Sequence, residues 1–227
     1  MPVKRMDTER LIRTLAENVE PVRPLRHPWV RALAWTAGGA LYVLLLVAVM
    51  SPRDDLAARM RDPGFLIEQA AALLTGVTAA IAAFATAVPG SRRNVVLVPL
   101  VSAVAWIGIV SVGAVREFQL AGPEVVLQAD WGCVWTVLLG AAVPAGLMAT
   151  MLRRGAPLTP YTTAALGGLA AAGIGNLGVC LFHPHSSDLV VLVWHCGTVL
   201  VVAALAGTAG GQLLRWPPRR TRALMSV

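Results

Sequence analysis

The chain has 227 residues, of which 56% are hydrophobic and only 14% charged, and its formal net charge is +7. Soluble domains are usually about one-quarter charged, so this composition, with a mean hydropathy of +0.67, excludes an ordinary water-soluble protein. The charged residues lie in short segments between apolar runs of about twenty residues, which is the length that crosses a bilayer.

Six apolar runs predict an all-α integral membrane protein with six transmembrane helices. The runs cover residues 30–50, 65–88, 95–115, 131–152, 161–181 and 189–214. They divide the chain into a head of residues 1–29, a transmembrane domain of residues 30–214 and a basic tail of residues 215–227. No small-residue cleavage pattern follows the first run, so we expect a retained span rather than a signal peptide.

The positive charges predict that both ends of the chain are cytoplasmic. With the N-terminus inside, 15 of the 19 Lys and Arg residues fall on the inner side, as the positive-inside rule requires. The outer side keeps only Arg53, Arg59, Arg61 and Arg116. This distribution accounts for the sequence pI of about 10.6 without nucleic acid, and we expect no direct nucleic-acid binding.

The head contains an amphipathic segment that predicts a short helix. Asp7 is a suitable helix cap, and Arg10 and Arg13 lie at the edge of the apolar face. That face spans an arc of about 100° and contains Leu11, Ile12, Leu15 and Val19. The face could lie on membrane lipid as a positive-inside anchor, or it could dock into a partner's groove.

Cysteine and histidine residues collect at the predicted outer ends of the last three spans. The positions are Cys133, Cys180 and Cys196, with His183, His185 and His195. Thiolates and imidazoles are ligands for zinc, copper(I) and similar soft ions, and cysteines in an oxidising periplasm also form disulfides. Alternatively, the cysteines only fill gaps between glycine-rich helices, and His195 only hydrogen-bonds to a neighbouring helix.

Several other functions are disfavoured. The chain has no nucleophile elbow, Walker loop or dinucleotide fingerprint, so we expect no enzyme, no catalytic residues and no constitutive cofactor. No Asp, Glu, Lys or Arg lies in the middle of a predicted span, where ion-coupled transporters usually place such groups. Spans five and six are rich in glycine, including Gly207-x-x-x-Gly211, and their faces could pack within one chain or in a homo-oligomer.

The order of these features resembles the NrsF-type family of membrane anti-sigma factors over the whole chain. The resemblance rests on the head DTERLIRTLAENVEPVRPL, the six spans, a WGC motif, a cysteine ending span five and a WH pair in span six. It implies that the head binds a sigma factor of the extracytoplasmic-function class. It also implies that two periplasm-side cysteines, here Cys133 and Cys180, are needed for a response to heavy metals or oxidative stress. It assigns no role to Cys196 or to the histidines.

We therefore expect a multi-pass anti-sigma factor of the bacterial inner membrane, in contact with membrane lipid, with a soft metal ion as inducing ligand. The residues expected to bind the sigma factor are Arg10, Leu11, Ile12, Arg13, Leu15 and Val19. One alternative is a membrane transporter or permeability protein for a metal or small solute. Another is a membrane thiol-disulfide redox protein. Removal of residues 1–20 separates these functions, because only the anti-sigma factor depends on its head.

Overall fold

The computed structural model describes residues 8–17, 24–91, 93–121, 131–155, 157–183 and 187–214, and within these ranges every regular element is helical, as predicted. The helices are α1 (Thr8–Glu17), α2 (Pro28–Met50), α3 (Leu56–Arg59), α4 (Pro63–Thr86), α5 (Leu97–Ala121), α6 (Trp131–Leu152), α7 (Pro160–Phe182), α8 (Asp188–Val190) and α9 (Gly197–Leu213). A 3-10 turn (Arg93–Val96) precedes α5, and a π-helical segment (Val191–Cys196) joins α8 to α9.

Within the residues that the structure describes, six helices are long and apolar enough to cross a membrane, which is the architecture of a multi-pass membrane protein. They are α2, α4, α5, α6, α7 and the continuous span from α8 to α9. At one end of the bundle, here called the N-terminal side, Arg31 of α2 donates to the Met151 carbonyl of α6 at 2.6 Å. At the opposite end, the far side, the Arg53 backbone N–H donates to the Leu181 carbonyl of α7 at 3.1 Å.

Proline marks the start of several spans because it lacks the N–H that the first helical turn leaves unused. Pro28, Pro63 and Pro160 open α2, α4 and α7. The third span extends further than the residue 115 expected from hydropathy, since α5 continues through Arg116 and Glu117 to Ala121. A helix that passes the membrane boundary can keep its hydrogen bonds while its side chains become charged, so hydropathy underestimates its length.

The α7 helix is the centre of the bundle. Its most apolar 18-residue window is 78% buried, whereas that of α2 is 17% buried. Small residues make this position possible, because helices in lipid associate through close packing rather than through the hydrophobic effect. A Cβ on Gly175 would lie 2.6 Å from the Ala141 backbone nitrogen of α6, and one on Gly173 would lie 3.4 Å from the Gly76 Cα of α4.

The glycine-rich faces of the fifth and sixth spans pack against each other within one chain. A Cβ on Gly168 would lie 2.6 Å from the Ala206 Cβ, and one on Gly210 would lie 2.5 Å from the Pro160 carbonyl oxygen. Gly207 has more room, with its nearest atom, the Ala165 Cβ, at 3.1 Å from an added Cβ. The sixth span therefore approaches the start of α7 most closely at Gly210, and not at the Gly207-x-x-x-Gly211 pair that the sequence analysis identified.

The crossing of α6 and α7 should tolerate no added methyl group. Replacing Gly175 by alanine places a Cβ against the α6 backbone, which cannot rotate away, and overpacking of this kind costs about 1–3 kcal/mol. Gly146→Ala is the matched control, since an added Cβ on this exposed α6 glycine meets nothing within 4 Å. Thermal unfolding of the purified protein in mild detergent should show a lower Tm for Gly175→Ala only. An equal Tm for both variants would contradict the observed packing.

Candidate functional site

A polar cluster lies on the far side of the bundle around the thiol of Cys180. This thiol is completely buried, and Glu68 and Gln69 of α4, Arg53 of the α2–α3 loop and Cys196 of the π-helical segment all lie close enough to act on it. Gln69 is 92% buried, yet neither atom of its amide group makes a hydrogen bond of good geometry within the described residues. The cluster therefore draws on three separate spans and one loop.

The packing of α4 on α7 explains why Gln69 and Cys180 meet. The backbones of the two helices touch at Gly76 and Gly173. Gln69 lies seven residues before Gly76 and Cys180 seven residues after Gly173. Because α4 and α7 run in opposite directions, both side chains lie about two turns further toward the far side on the same seam.

Arg53 joins the loop after α2 to the end of α7. Its backbone N–H donates to the Leu181 carbonyl, and its buried guanidinium group donates to both carboxylate oxygens of Asp55, one of them at 2.8 Å. The hydrogen bonds from Arg53, together with that from Arg59, lower the pKa of Asp55 to about 2. The sequence analysis counted Arg53 only as one of four positive charges on the outer side, and no motif indicated its position near Cys180.

Cys133 lies on a different seam of the bundle. It belongs to the buried stripe of α6 that also contains Val137, Gly140 and Ala141, and Gly140 packs against Gly175 of α7. Cys180 lies five residues beyond Gly175, which places it about 140° around α7. The structure thus brings Cys180 close to Cys196, whereas Cys133 lies on the buried face of α6 that packs against Gly175 of α7.

The cysteines form no disulfide. Among the described residues, no three His, Cys, Asp or Glu side chains are close enough to share a metal ion. The described conformation therefore does not contain a preformed metal site, although one further thiol (Cys196) and one carboxyl group (Glu68) lie near Cys180.

The sixth span carries His195 on its π-helical segment. This histidine is fully buried, and its Nδ1 donates to the Asn176 Oδ1 of α7 at 2.7 Å. A π-helical turn widens a helix locally and often marks a functional position. The hydrogen bond fixes the register of the sixth span against α7 and gives His195 a partner on a neighbouring helix, while a sensing role for His195 stays a prediction.

The two tryptophan-containing motifs meet on the far side. The Trp131 and Trp194 rings lie 5.5 Å apart between centroids, at 58°. Cys133 and Cys196 each follow one of these tryptophans by two residues. The contact therefore places the start of α6, which carries Cys133, next to the π-helical segment, which carries Cys196.

Of the two histidines predicted in the outer loop, the structure describes His183 but not His185. His183 is half-buried at the end of α7, where its backbone N–H donates to the Val179 carbonyl at 2.8 Å. His185 lies outside the described residues. Just beyond it, the backbone N–H of Leu189 donates to Glu117 of α5 at 3.2 Å, and that of Val190 donates to the Ser187 hydroxyl. These bonds fix where the sixth span begins.

The predicted helix of the head is present as α1. Every side chain described in it is exposed, including Arg10, Arg13 and the 60% exposed Ile12. The side chains of Leu11 and Leu15 lie outside the described set, as do all of Asp7, Val19 and the tail of residues 215–227. The described part of α1 therefore presents one apolar side chain of the predicted face to its surroundings.

Comparison with known proteins identifies relatives over nearly the whole chain. The family model NrsF, described as negative regulator of sigma F, matches residues 15–216. A protein of Azospira oryzae described as "Probable anti-sigma-F factor NrsF" is 26% identical over 220 residues, which cover 93% of this chain and 100% of that protein. No solved structure matches the chain. Because the family model spans the end of the head and all six apolar helices, this chain belongs to the NrsF family of negative regulators of sigma F.

Proposed function

We propose that this chain is an anti-sigma factor of the bacterial inner membrane that holds an extracytoplasmic-function sigma factor and releases it under heavy-metal or oxidative stress. The observation that carries the proposal is the family match across residues 15–216. The similarity to the Azospira oryzae protein, which is described as a probable anti-sigma-F factor, supports it. In this proposal the N-terminal side is cytoplasmic, in agreement with the charge distribution.

The head is the proposed sigma-binding element. The α1 helix precedes the first span by a short segment that contains Pro21 and Pro24, and proline fixes its own φ angle and disfavours helix at the residue before it. Ile12 is exposed, so this side chain is accessible to a partner. The predicted binding face consists of Leu11, Ile12, Leu15 and Val19, with Arg10 and Arg13 at its edge.

The proposed sensing residues are Cys133 and Cys180. They lie on different seams around α7, so a ligand that requires both thiols stabilises a different packing of α6 against α7. A ligand shifts an equilibrium only by its difference in affinity for the two states. A shift of occupancy from 1:99 to 99:1 takes about 5.5 kcal/mol, which is less than the ~10–16 kcal/mol apparent free energy with which zinc-finger peptides bind structural zinc.

Changing Leu11 and Leu15 to aspartate should abolish binding of the sigma factor. Two carboxylates moved into an apolar groove remain unpaired, and their desolvation costs several kcal/mol, which weakens binding by about a hundredfold or more. Glu17→Gln is the control, because it removes one charge from the opposite face of α1. The measurement is co-purification of the sigma factor with the tagged protein from its own host in mild detergent.

The proposal is wrong about this partner if no sigma factor accompanies the unaltered chain. It is wrong about the binding face if the Leu11→Asp, Leu15→Asp variant retains the sigma factor as well as Glu17→Gln does. Equal amounts of each variant in the membrane, measured by immunoblot, exclude degradation as the cause of lost binding.

Replacing Cys133 and Cys180 by serine should keep repression and abolish induction. Serine is close to cysteine in size but lacks the soft thiolate that such ions prefer, and a buried helical serine can donate to a carbonyl of the preceding turn. The control is Cys196→Ser, a buried thiol beside Cys180. The measurement is a reporter from a sigma-dependent promoter, with and without cadmium or peroxide.

The single variants then distinguish two thiol pairs. Loss of induction in Cys133→Ser and Cys180→Ser, with Cys196→Ser responsive, supports the pair that the family resemblance implies. Loss in Cys180→Ser and Cys196→Ser, with Cys133→Ser responsive, would transfer the sensing role to the pair that is adjacent in the structure. Constant reporter activity without inducer would instead mean that the cysteines are structural.

A further inference from the structure

A basic cleft opens on the N-terminal side between the lead segment Pro24–Arg26, the start of α2 and the end of α6. Its volume is about 600 Å³, within the range of small-molecule sites. Three guanidinium groups line it, from Arg26, Arg31 and Arg154, and its lining contains no carboxylate. The ion pairs found in the described part of the chain lie instead on the far side, around Asp55.

The Arg31 guanidinium group is held in place, but not all of its N–H donors form hydrogen bonds. Its side chain is 93% buried, its Nη2 donates to the Met151 carbonyl, and its guanidinium carbon lies 4.5 Å from the centre of the Phe84 ring. Its Nη1 has no hydrogen-bond partner within the described residues. Arg154 is near enough for the two positive charges to repel. An anion in the cleft would relieve this repulsion, and the exposed guanidinium groups of Arg26 and Arg154 would donate to it.

One wall of the cleft is apolar. Val30, Ala34 and Met151 form it, and it continues on the same side of α2 into Leu33, which is 72% exposed. Further along α2, Leu41 and Leu44 are about 60% exposed, as expected for a face that contacts acyl chains. An acidic peptide or a free anion would use only the arginines, whereas a lipid would use both the arginines and the apolar wall.

We propose that this cleft binds the phosphate headgroup of an anionic phospholipid, with the acyl chains along the exposed face of α2. Guanidinium groups match phosphate oxygens in geometry and charge, and basic pockets between transmembrane helices on the cytoplasmic side suit anionic headgroups. The inference goes beyond the proposed function and does not depend on it. A bound lipid would also fix the lead segment that carries the head, since Pro24, Leu25 and Arg26 line the cleft.

The test measures binding of phosphatidylglycerol and of phosphatidylcholine with the same acyl chains to the purified full-length protein in neutral detergent, by native mass spectrometry. The unaltered protein should prefer phosphatidylglycerol. Arg154→Gln should weaken phosphatidylglycerol binding about tenfold, because one charged hydrogen-bond donor is lost. This residue is exposed, so its replacement leaves no buried group unpaired.

Arg153→Gln is the matched control. Arg153 carries the same charge at the same helix end, but its Nε donates to the Leu213 carbonyl of α9 at 2.8 Å, and it does not line the cleft. It should retain the preference for phosphatidylglycerol. Equal binding of the two lipids, or equal behaviour of Arg154→Gln and Arg153→Gln, would overturn the proposal.

Two further outcomes would assign the cleft to another ligand. If inorganic phosphate displaces phosphatidylglycerol at equal concentration, the site takes a soluble anion and the lipid proposal fails. It also fails if Arg154→Gln weakens sigma-factor binding in phosphatidylcholine nanodiscs while its lipid preference is unchanged. Because the lipid measurement uses the chain alone, its failure does not bear on the anti-sigma proposal.

Discussion

The rest of the structure depends on direct backbone contact between α7 and its neighbours. In lipid, apolar side chains gain little by leaving one hydrocarbon environment for another, so helices associate through shape and close approach. Gly140 and Gly175 allow this approach between α6 and α7, Gly76 and Gly173 between α4 and α7, and Gly168 between α7 and α9. A helix with larger side chains at these positions could not occupy the centre, and the three seams around α7 would open together.

Polar residues placed between these seams select one register among several that small residues would permit. A stripe of glycine and alanine can slide, because each small residue resembles the next. The hydrogen bond between His195 and Asn176 fixes the register of the sixth span. A shift of one residue would break this bond and leave two buried polar side chains without a hydrogen-bond partner. Thr163 and Thr86, 3.0 Å apart, have the same effect between α7 and α4.

Hydropathy and charge were sufficient to predict the six helices, because crossing a bilayer imposes one length and one composition. The position of each cysteine along its helix followed from the same reasoning. Which thiols are neighbours did not follow, since that depends on the faces that α4, α6 and α7 present to each other, and glycine and alanine are spread around most of α7. Arg31 and Arg53 were counted only as charges, although their carbonyl contacts make both part of the bundle.

The α4 helix connects the two ends of the molecule on which the proposed function depends. On the far side it contributes Glu68 and Gln69 to the surroundings of Cys180, and on the N-terminal side its Phe84 lies under the Arg31 guanidinium group.

A continuous helix changes length very little, so a displacement at one end must appear as translation, tilt or rotation at the other. Tight contact with α7 at Gly76 opposes translation and favours tilt about that point. A change in the packing around Cys180 would then move Phe84 in the opposite direction, toward or away from the base of the head. This lever requires only the observed crossing at Gly76 and Gly173, and under the proposed function the crossing would transmit the signal as well as stabilise the bundle.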